Sequence, residues 1–210
     1  MIGAICLATA GATLAASIPL TSAGLTTYAK VYGSPTTCTL APSADAYVFQ
    51  LLASNNFGTA TTLDVASTSA LAKETFVRFD LSSCSPAIPT GAIVQSATLK
   101  LTVSSLALST RTYVLKNASA SWAETTLTWS NAPAVSAAAT ASTSVTVGTA
   151  AGTVVQWTVA SDVQSFVTTA AANNGWRLAD SAEGSGSATL SFGSREAASG
   201  RPQLVITYVS

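Results

Sequence analysis

Residues 97–103, ATLKLTV, alternate apolar and polar side chains at every position. Because successive side chains of a strand point to opposite faces of a sheet, this period of two predicts a strand with one buried face and one solvated face. Further runs show the same alternation and are rich in β-branched and aromatic residues, namely residues 46–49, 75–79, 112–115, 143–147, 154–159, 188–192 and 203–208. Turn-forming residues separate these runs, so the chain is predicted to be all-β, with two antiparallel sheets packed as a sandwich.

One segment, residues 161–171, has the periodicity of a short helix. Asp162 lies in its first turn, where a carboxylate suits the helix dipole. Val163, Phe166 and Val167 fall on one face, which would pack against the sandwich.

The composition excludes several classes of function. Of the 210 residues 48% are hydrophobic and 9% are charged, nine Lys and Arg balance nine Asp and Glu, and there is no histidine. Without histidine, Ser-His-Asp, Cys-His and His-zinc sites are excluded. No basic cluster is present to neutralise phosphates, so nucleic acid is not an expected partner. We therefore expect a protein that is not an enzyme and does not bind nucleic acid.

Residues 1–29 carry no charged side chain. The alanines Ala4, Ala8, Ala12 and Ala16 recur every four residues, which on a helix would form a stripe of small side chains that lets another helix approach closely. A retained assembly or anchoring segment, a cleaved secretory signal and a strand donated to a neighbour remain open. We divide the chain into this segment, a linker over residues 30–43 and a sandwich over residues 44–210.

Motifs spread over residues 44–208 resemble the DNRLRE family of extracellular domains in their order. They are ADAYV (44–48), NFG (56–58), VRFDLS (77–82), IPTGAIVQSATL (88–99), SWAETTLTWSNAP (121–133), NGWRL (174–178), SRE (194–196) and PQLVITY (202–208). The resemblance implies a jelly-roll sandwich in a protein outside the cell. It also implies a relation to carbohydrate-binding modules, some of which bind acidic polysaccharides, and it implies no catalysis.

The three cysteines fit an exported protein. Cys38 precedes residues 44–210 and Cys84 lies in a turn within them, so we predict a disulfide between them, with two unrelated buried thiols as the alternative. Cys6 would then be unpaired and packed as a small apolar residue.

Four charged residues, Arg78, Glu124, Arg195 and Glu196, are candidates for binding a carboxylated sugar, because guanidinium groups receive carboxylates in paired hydrogen bonds. The alternative is an ion-pair network that fixes loops to the sandwich. Trp176 is a further ligand candidate, since a flat ring can stack on a sugar. Like the other tryptophans, Trp122, Trp129 and Trp157, it can instead be a packing residue.

Two kinds of modification or ion site are also predicted. Asp45, Asp64 and Asp80 can contribute carboxylate oxygens to a Ca²⁺ site, although they lack the spacing of a calcium-binding loop. Asn117-Ala118-Ser119 matches an N-glycosylation acceptor in a segment expected to be an exposed turn.

Two functions follow from these features. The preferred one is a subunit of an extracellular filament or surface layer, a homopolymer that self-associates through residues 1–29 and meets a membrane only before assembly. The alternative is a secreted carbohydrate-binding module for an acidic polysaccharide.

Overall fold

The computed structural model describes residues 17–22, 25–30, 33–168 and 172–210. Its strands are β1 Ser17–Ser22, β2 Leu25–Lys30, β3 Thr36–Leu40, β4 Ala44–Phe49, β5 Thr62–Ala66, β6 Lys73–Arg78, β7 Ile93–Thr102, β8 Arg111–Asn117, β9 Ala141–Val145, β10 Val154–Thr158, β11 Trp176–Asp180, β12 Thr189–Gly193 and β13 Gln203–Val209. The α-helix is α1 Ala160–Thr168, and two single turns of 3₁₀ helix cover Leu81–Ser83 and Trp129–Asn131.

Within these residues, eleven strands form two antiparallel sheets. The four-stranded sheet has the order β10-β7-β13-β3, and the seven-stranded sheet has the order β12-β5-β6-β11-β8-β9, with β4 also paired to β6. With β4, β5 and β12 left aside, the pairing is nested: β3 pairs with β13, β6 with β11, β7 with β10, and β8 with β9. This nesting is the jelly-roll arrangement, so the predicted antiparallel jelly-roll sandwich with one short helix is confirmed.

The main core lies between the two sheets and contains Trp157, Trp176, Phe79 and Phe192, all almost fully buried. A smaller core lies on the other face of the seven-stranded sheet, where Phe76 packs under the loop over residues 119–133. Ring contacts such as the edge-on pair Phe76 and Trp122, with centroids 5.8 Å apart, occur in both cores. The sheet that carries β4 and β6 is therefore covered on both faces in its centre.

Three strands of the sandwich were not expected from the sequence. β3 lies within the predicted linker, residues 30–43, but pairs with β13 from Leu40↔Leu204 to Thr36↔Tyr208, so the sandwich begins before residue 44. β5 and β11 were also missed. β11 is buried at four of its five positions, so it lacks the alternation that identifies a half-exposed strand.

Helix α1, Ala160–Thr168, confirms the helix predicted over residues 161–171, and residues 169–171 of that range lie outside the described residues. Val163 is fully buried, and Phe166 and Val167 pack against the main core. The helix thus packs along the end of the sandwich beside β7.

The described parts of the N-terminal segment form an antiparallel pair of strands, β1 and β2, in register from Ser17↔Lys30 to Ser22↔Leu25. A helix is therefore wrong for residues 17–22 and 25–30. The predicted assembly residues Ala4, Ala8, Ala12 and Ala16, and the unpaired Cys6, lie outside the described residues. In the part of the chain that the structure describes, no helix has the length and apolar character needed to cross a membrane.

The predicted disulfide between Cys38 and Cys84 is present, with Cα atoms 5.7 Å apart. Cys38 lies in β3, and Cys84 follows the 3₁₀ turn Leu81–Ser83. Both residues are buried in the main core. The bond ties the strand that opens the sandwich to the connection between β6 and β7.

Candidate functional site

Three acidic side chains meet where β4, the loop over residues 119–133 and the segment after β12 come together. Asp45, Glu124 and Glu196 each place one carboxylate oxygen within 4.8 Å of the other two. Arg195 is the cation at this point: its Nη1 donates to Glu124 Oε2 at 2.7 Å, and its Nε lies 3.6 Å from Glu196 Oε1. We call these four residues the acidic cluster.

The acidic cluster brings together three of the four charged residues predicted to bind a carboxylated sugar. Arg195 is already engaged by Glu124, by Glu196 and by the Ser43 carbonyl, to which Nη1 donates at 3.3 Å. This arrangement matches the alternative prediction of an ion-pair network between loops. Arg78 is not part of it, because its guanidinium donates to the Trp122 carbonyl at 3.1 Å and lies over the Trp122 ring.

Asp45 is the most buried member of the cluster, with 1% of its surface exposed. Its Oδ2 accepts a hydrogen bond of 2.8 Å from the Arg195 backbone N–H, while its Oδ1 has no hydrogen-bond partner. Burial is the main cause that raises the pKa of Asp45 to about 7; the charges of Glu196 and Glu124 also raise this pKa, and the hydrogen bond from the Arg195 backbone opposes the shift. A second oxygen of the cluster, Glu196 Oε2, is also buried without a partner.

Local contacts hold Glu124 in the cluster. Its Oε1 accepts a 2.8 Å hydrogen bond from the Asp45 backbone N–H. Asn56 donates through Nδ2 to the carbonyls of Glu124 and Leu127, both at 2.7 Å. A Cβ at Gly58 would overlap the Glu124 carbonyl, so this close approach requires glycine. The motif NFG therefore positions the loop that carries Glu124.

The three aspartates predicted to share a Ca²⁺ site do not come together as one group of ligands. Asp64 forms a 2.6 Å ion pair with Lys73 and accepts a hydrogen bond from Ser191. Asp80 is exposed and caps the 3₁₀ turn through Ser82, contacts that lower its pKa. Asp45 alone of the three belongs to a cluster of acidic oxygens among the described residues, and its neighbours are glutamates that were not predicted as ligands of an ion.

The predicted ring platform Trp176 is fully buried, and its Nε1 donates to Asp162 Oδ2 at 2.8 Å, so it is a core residue with no face open to a sugar. Trp157 and Trp122 are buried as well, and Trp129 packs against the smaller core.

Asn117, the predicted glycosylation acceptor, is the last residue of β8. It is half-buried, and its Oδ1 is buried and unpaired. It is therefore not in the exposed turn expected for a glycosylation acceptor.

A second polar feature, which was not predicted as a site, lies on the outer face of the four-stranded sheet. Gln156 of β10, Lys100 of β7 and Gln203 of β13 are direct cross-strand neighbours, so they form one row across three strands. Strands lie about 4.8 Å apart, so the row spans about 10 Å. We call it the amide-cation row.

Hydroxyl-bearing residues continue the same face beyond this row. The next row along the sheet contains Thr158, Thr98 and Thr39 together with one apolar residue, Val205, and the row after it contains Ser96, Thr207 and Thr37. On the other side of the amide-cation row, Thr102 and Arg201 line a cleft of about 590 Å³ together with the row itself. No aromatic ring lines this cleft among the described residues.

Lys100 differs from every other cation whose side chain the structure describes. Four of these cations form ion pairs with carboxylates: Lys73, Arg111, Arg177 and Arg195. Three other cations donate hydrogen bonds to backbone carbonyls: Arg78, Lys116 and Arg201. Lys100 alone among them has no hydrogen-bond or ion-pair partner in the described part of the chain. Its ammonium is therefore available to a ligand in the cleft.

A comparison with family models matches residues 36–208 to carbohydrate-binding module family 96. The chain belongs to this family. The match begins at the first residue of β3 and ends within β13, so it covers the sandwich. A search of curated proteins found no match to the chain.

Membership of family 96 supports the relation to carbohydrate-binding modules that the sequence motifs implied, while the DNRLRE name rests on those motifs alone. Modules of this kind bind sugars and are not catalytic, which agrees with the expectation that the chain is not an enzyme. The family and the disulfide are both consistent with a protein outside the cell. The family match favours the carbohydrate-binding alternative over the filament subunit.

Proposed function

We propose that the chain is a non-catalytic, extracellular carbohydrate-binding module that binds an anionic polysaccharide across the outer face of the four-stranded sheet. The observation that carries the proposal is Lys100, the unpaired cation in the middle of the amide-cation row. Arg201, at the edge of the same cleft, adds a second positive charge.

The chemistry of the row suits a sugar that carries carboxylates. An ammonium group donates charge-assisted hydrogen bonds to a carboxylate, and these are stronger than bonds between neutral groups. The amides of Gln156 and Gln203 can both donate to and accept from sugar hydroxyls. The cleft has no described aromatic ring on which a neutral sugar would stack, so charge and hydrogen bonding rather than stacking would provide the affinity.

The acidic cluster is a poorer candidate for the same ligand. Its three carboxylates would repel an anionic sugar, and the guanidinium of Arg195 is held by Glu124 at 2.7 Å. The filament interpretation depends on residues 1–29, of which the structure describes only 17–22 and 25–29, and nothing in the described residues favours it.

The proposal is tested by measuring calorimetrically the binding of the full chain to a polyuronate and to a neutral glucan. Lys100→Met keeps the length of the side chain and removes its charge. We expect this variant to bind the polyuronate about ten-fold more weakly, the size of one charge-assisted hydrogen bond. Affinity for the polyuronate should also fall as salt is added, because salt screens the charges of an exposed site.

The matched control is Lys116→Met, which changes the net charge by the same amount on the seven-stranded sheet. It should bind the polyuronate within about two-fold of the wild type, since surface changes away from the site have small effects. Equal loss in both lysine variants, no loss in Lys100→Met, or equal affinity of the wild type for the neutral glucan would overturn the proposal.

A further inference from the structure

The acidic cluster holds more negative charge than its own cation balances. Asp45, Glu124 and Glu196 converge on one Arg195, so with all groups ionised the cluster carries a net charge of about minus two. Buried charges are costly unless they are paired or coordinate an ion. A divalent cation would bring this cluster to neutrality.

The hydrogen bonds inside the cluster leave specific oxygens free. The Arg195 backbone N–H occupies Asp45 Oδ2, the Asp45 backbone N–H occupies Glu124 Oε1, and Arg195 Nη1 occupies Glu124 Oε2. Asp45 Oδ1 and Glu196 Oε2 are buried and accept nothing. Asp45 is 99% buried, and a carboxylate oxygen so deeply buried normally has a partner, so Asp45 Oδ1 points to a ligand that the protein itself does not provide.

The dimensions of the cluster fit one ion. The three ligand oxygens lie within 4.8 Å of one another. Two oxygens that each lie about 2.4 Å from a Ca²⁺ ion are at most about 4.8 Å apart, so three oxygens within that limit can bind the same ion. An all-oxygen set without histidine or thiolate also selects a hard cation over a transition metal.

We propose that Asp45, Glu124 and Glu196 bind a Ca²⁺ ion that ties together β4, the loop over residues 119–133 and the segment after β12. Glu124 is positioned for this by Asn56 and Gly58, and Arg195 Nη1 donates to Glu124 Oε2. The ion would take the place of the missing hydrogen-bond partners of Asp45 Oδ1 and Glu196 Oε2. The site lies on the seven-stranded sheet and its loops, separate from the amide-cation row on the other sheet, so it does not depend on the polysaccharide proposal.

The test uses the full chain, stripped with EDTA and exchanged into chelator-free buffer, with CaCl₂ as the probe in titration calorimetry and thermal unfolding. Extracellular modules bind Ca²⁺ with Kd values of about 10⁻⁴ to 10⁻³ M. At Ca²⁺ well above that range we expect Tm to rise by about 5 °C or more, because a ligand that binds only the folded state stabilises it. KCl at the same ionic strength should have no such effect.

Asp45→Asn and Glu196→Gln each remove one charged ligand with little change in shape. Both should weaken Ca²⁺ binding at least ten-fold. Glu196 is more exposed than Asp45, so its variant keeps the test decisive if Asp45→Asn does not fold. Glu183 is an exposed carboxylate outside the cluster, so Glu183→Gln is the matched control. This variant should bind Ca²⁺ as the wild type does.

Two results would overturn the assignment. One is the absence of both binding heat and a Tm shift in the wild type at about 10 mM CaCl₂, above the usual range for extracellular sites. The other is a Tm shift of equal size in the wild type, in the foldable cluster variants and in Glu183→Gln, which would mark a general effect of ions.

Discussion

Asn56 and Glu124 are joined through the backbone: the Asn56 side-chain amide donates to the Glu124 carbonyl at 2.7 Å and, with its other hydrogen, to the Leu127 carbonyl at the same distance. Residues 68 positions apart in the chain are thereby held in contact. The loop that supplies Glu124 depends on this contact for its position, and so does the acidic cluster.

Gly58→Ala should disturb this contact. Its Cβ would overlap the Glu124 carbonyl, so we expect the free energy of unfolding to fall by about 1–3 kcal/mol, the usual cost of an overpacked contact. Urea denaturation measures the change. Gly33→Ala is the control, because a Cβ there would make only an ordinary 3.6 Å contact with the Ser210 carbonyl, and its stability should match the wild type. A Gly58→Ala variant as stable as the wild type would contradict the close approach.

Asp162 is expected to stabilise the core by satisfying Trp176. Trp176 is fully buried, and its Nε1 donates to Asp162 Oδ2, which also accepts from Thr140 Oγ1 at 2.7 Å. Asp162→Ala leaves the buried indole N–H unpaired and should cost about 1–3 kcal/mol. Asp162→Asn retains an acceptor oxygen and should cost less, as measured by chemical denaturation followed by tryptophan fluorescence. Equal losses in the two variants would show that the hydrogen bond is not the cause.

Stability should fall with rising pH because of Glu74. Its pKa is raised from 4.5 to about 7, mainly by burial and also by the charge of Glu183, against the opposing charge of Arg177. Below about pH 4.5 the carboxyl is protonated in both the folded and the unfolded chain. Between about pH 4.5 and pH 7 the unfolded chain releases this proton while the folded chain retains it, so the contribution of Glu74 to the free energy of unfolding decreases across that window.

Glu183→Gln removes the neighbouring negative charge and should lower the pKa of Glu74. The decrease in stability between pH 5 and pH 7, measured by urea titration at each pH, should therefore be shallower than in the wild type. Lys116→Met, which changes no carboxylate, should keep the wild-type slope. A steeper decrease of the free energy of unfolding with pH in Glu183→Gln would contradict the prediction that the charge of Glu183 raises the pKa of Glu74.

The disulfide between Cys38 and Cys84 should contribute about 3–4 kcal/mol to the free energy of unfolding, because it closes a loop with a sequence separation of 46 in the unfolded chain. The double variant Cys38→Ala and Cys84→Ala, compared with the wild type in non-reducing urea denaturation, measures this contribution. Adding a reductant should lower the stability of the wild type toward that of the double variant and leave the variant unchanged. A difference below about 1 kcal/mol would mean that the unfolded chain gains little freedom when the bond is lost.

The alternating strands could be predicted from the sequence because one of their faces is solvated. β7 shows this pattern over residues 97–102, with Leu99 and Leu101 buried and Lys100 and Thr102 partly exposed. β11 could not be found in this way, because Trp176, Leu178 and Ala179 are all buried in a sheet covered on both faces. The alternation of apolar and polar residues arises only where one face of a strand is exposed to solvent. A strand that is buried on both faces does not alternate, so periodicity cannot identify it.

The site was only partly predictable for a different reason. Glu124, Arg195 and Glu196 were selected as rare charges in a sparsely charged chain, and they do meet. Asp45 was expected to join other aspartates instead, because the sequence does not show which loops the jelly roll brings together. Lys100 appeared as a polar position in a strand, and its value as a free cation depends on the pairing that places Gln156 and Gln203 on either side.

The position of the disulfide also governs how the sandwich would respond to a mechanical load. A pull applied through the segment before β3 reaches Cys38 first and passes through the covalent bond directly to Cys84. The strands β4, β5 and β6 lie between these two residues and are bypassed by the force. A stretched, oxidised chain would thus be shorter than a reduced one by the sequence separation of 46 residues, or about 150 Å of extended backbone. The segment between Cys38 and Cys84 would therefore carry no tension, while the rest of the chain is under load.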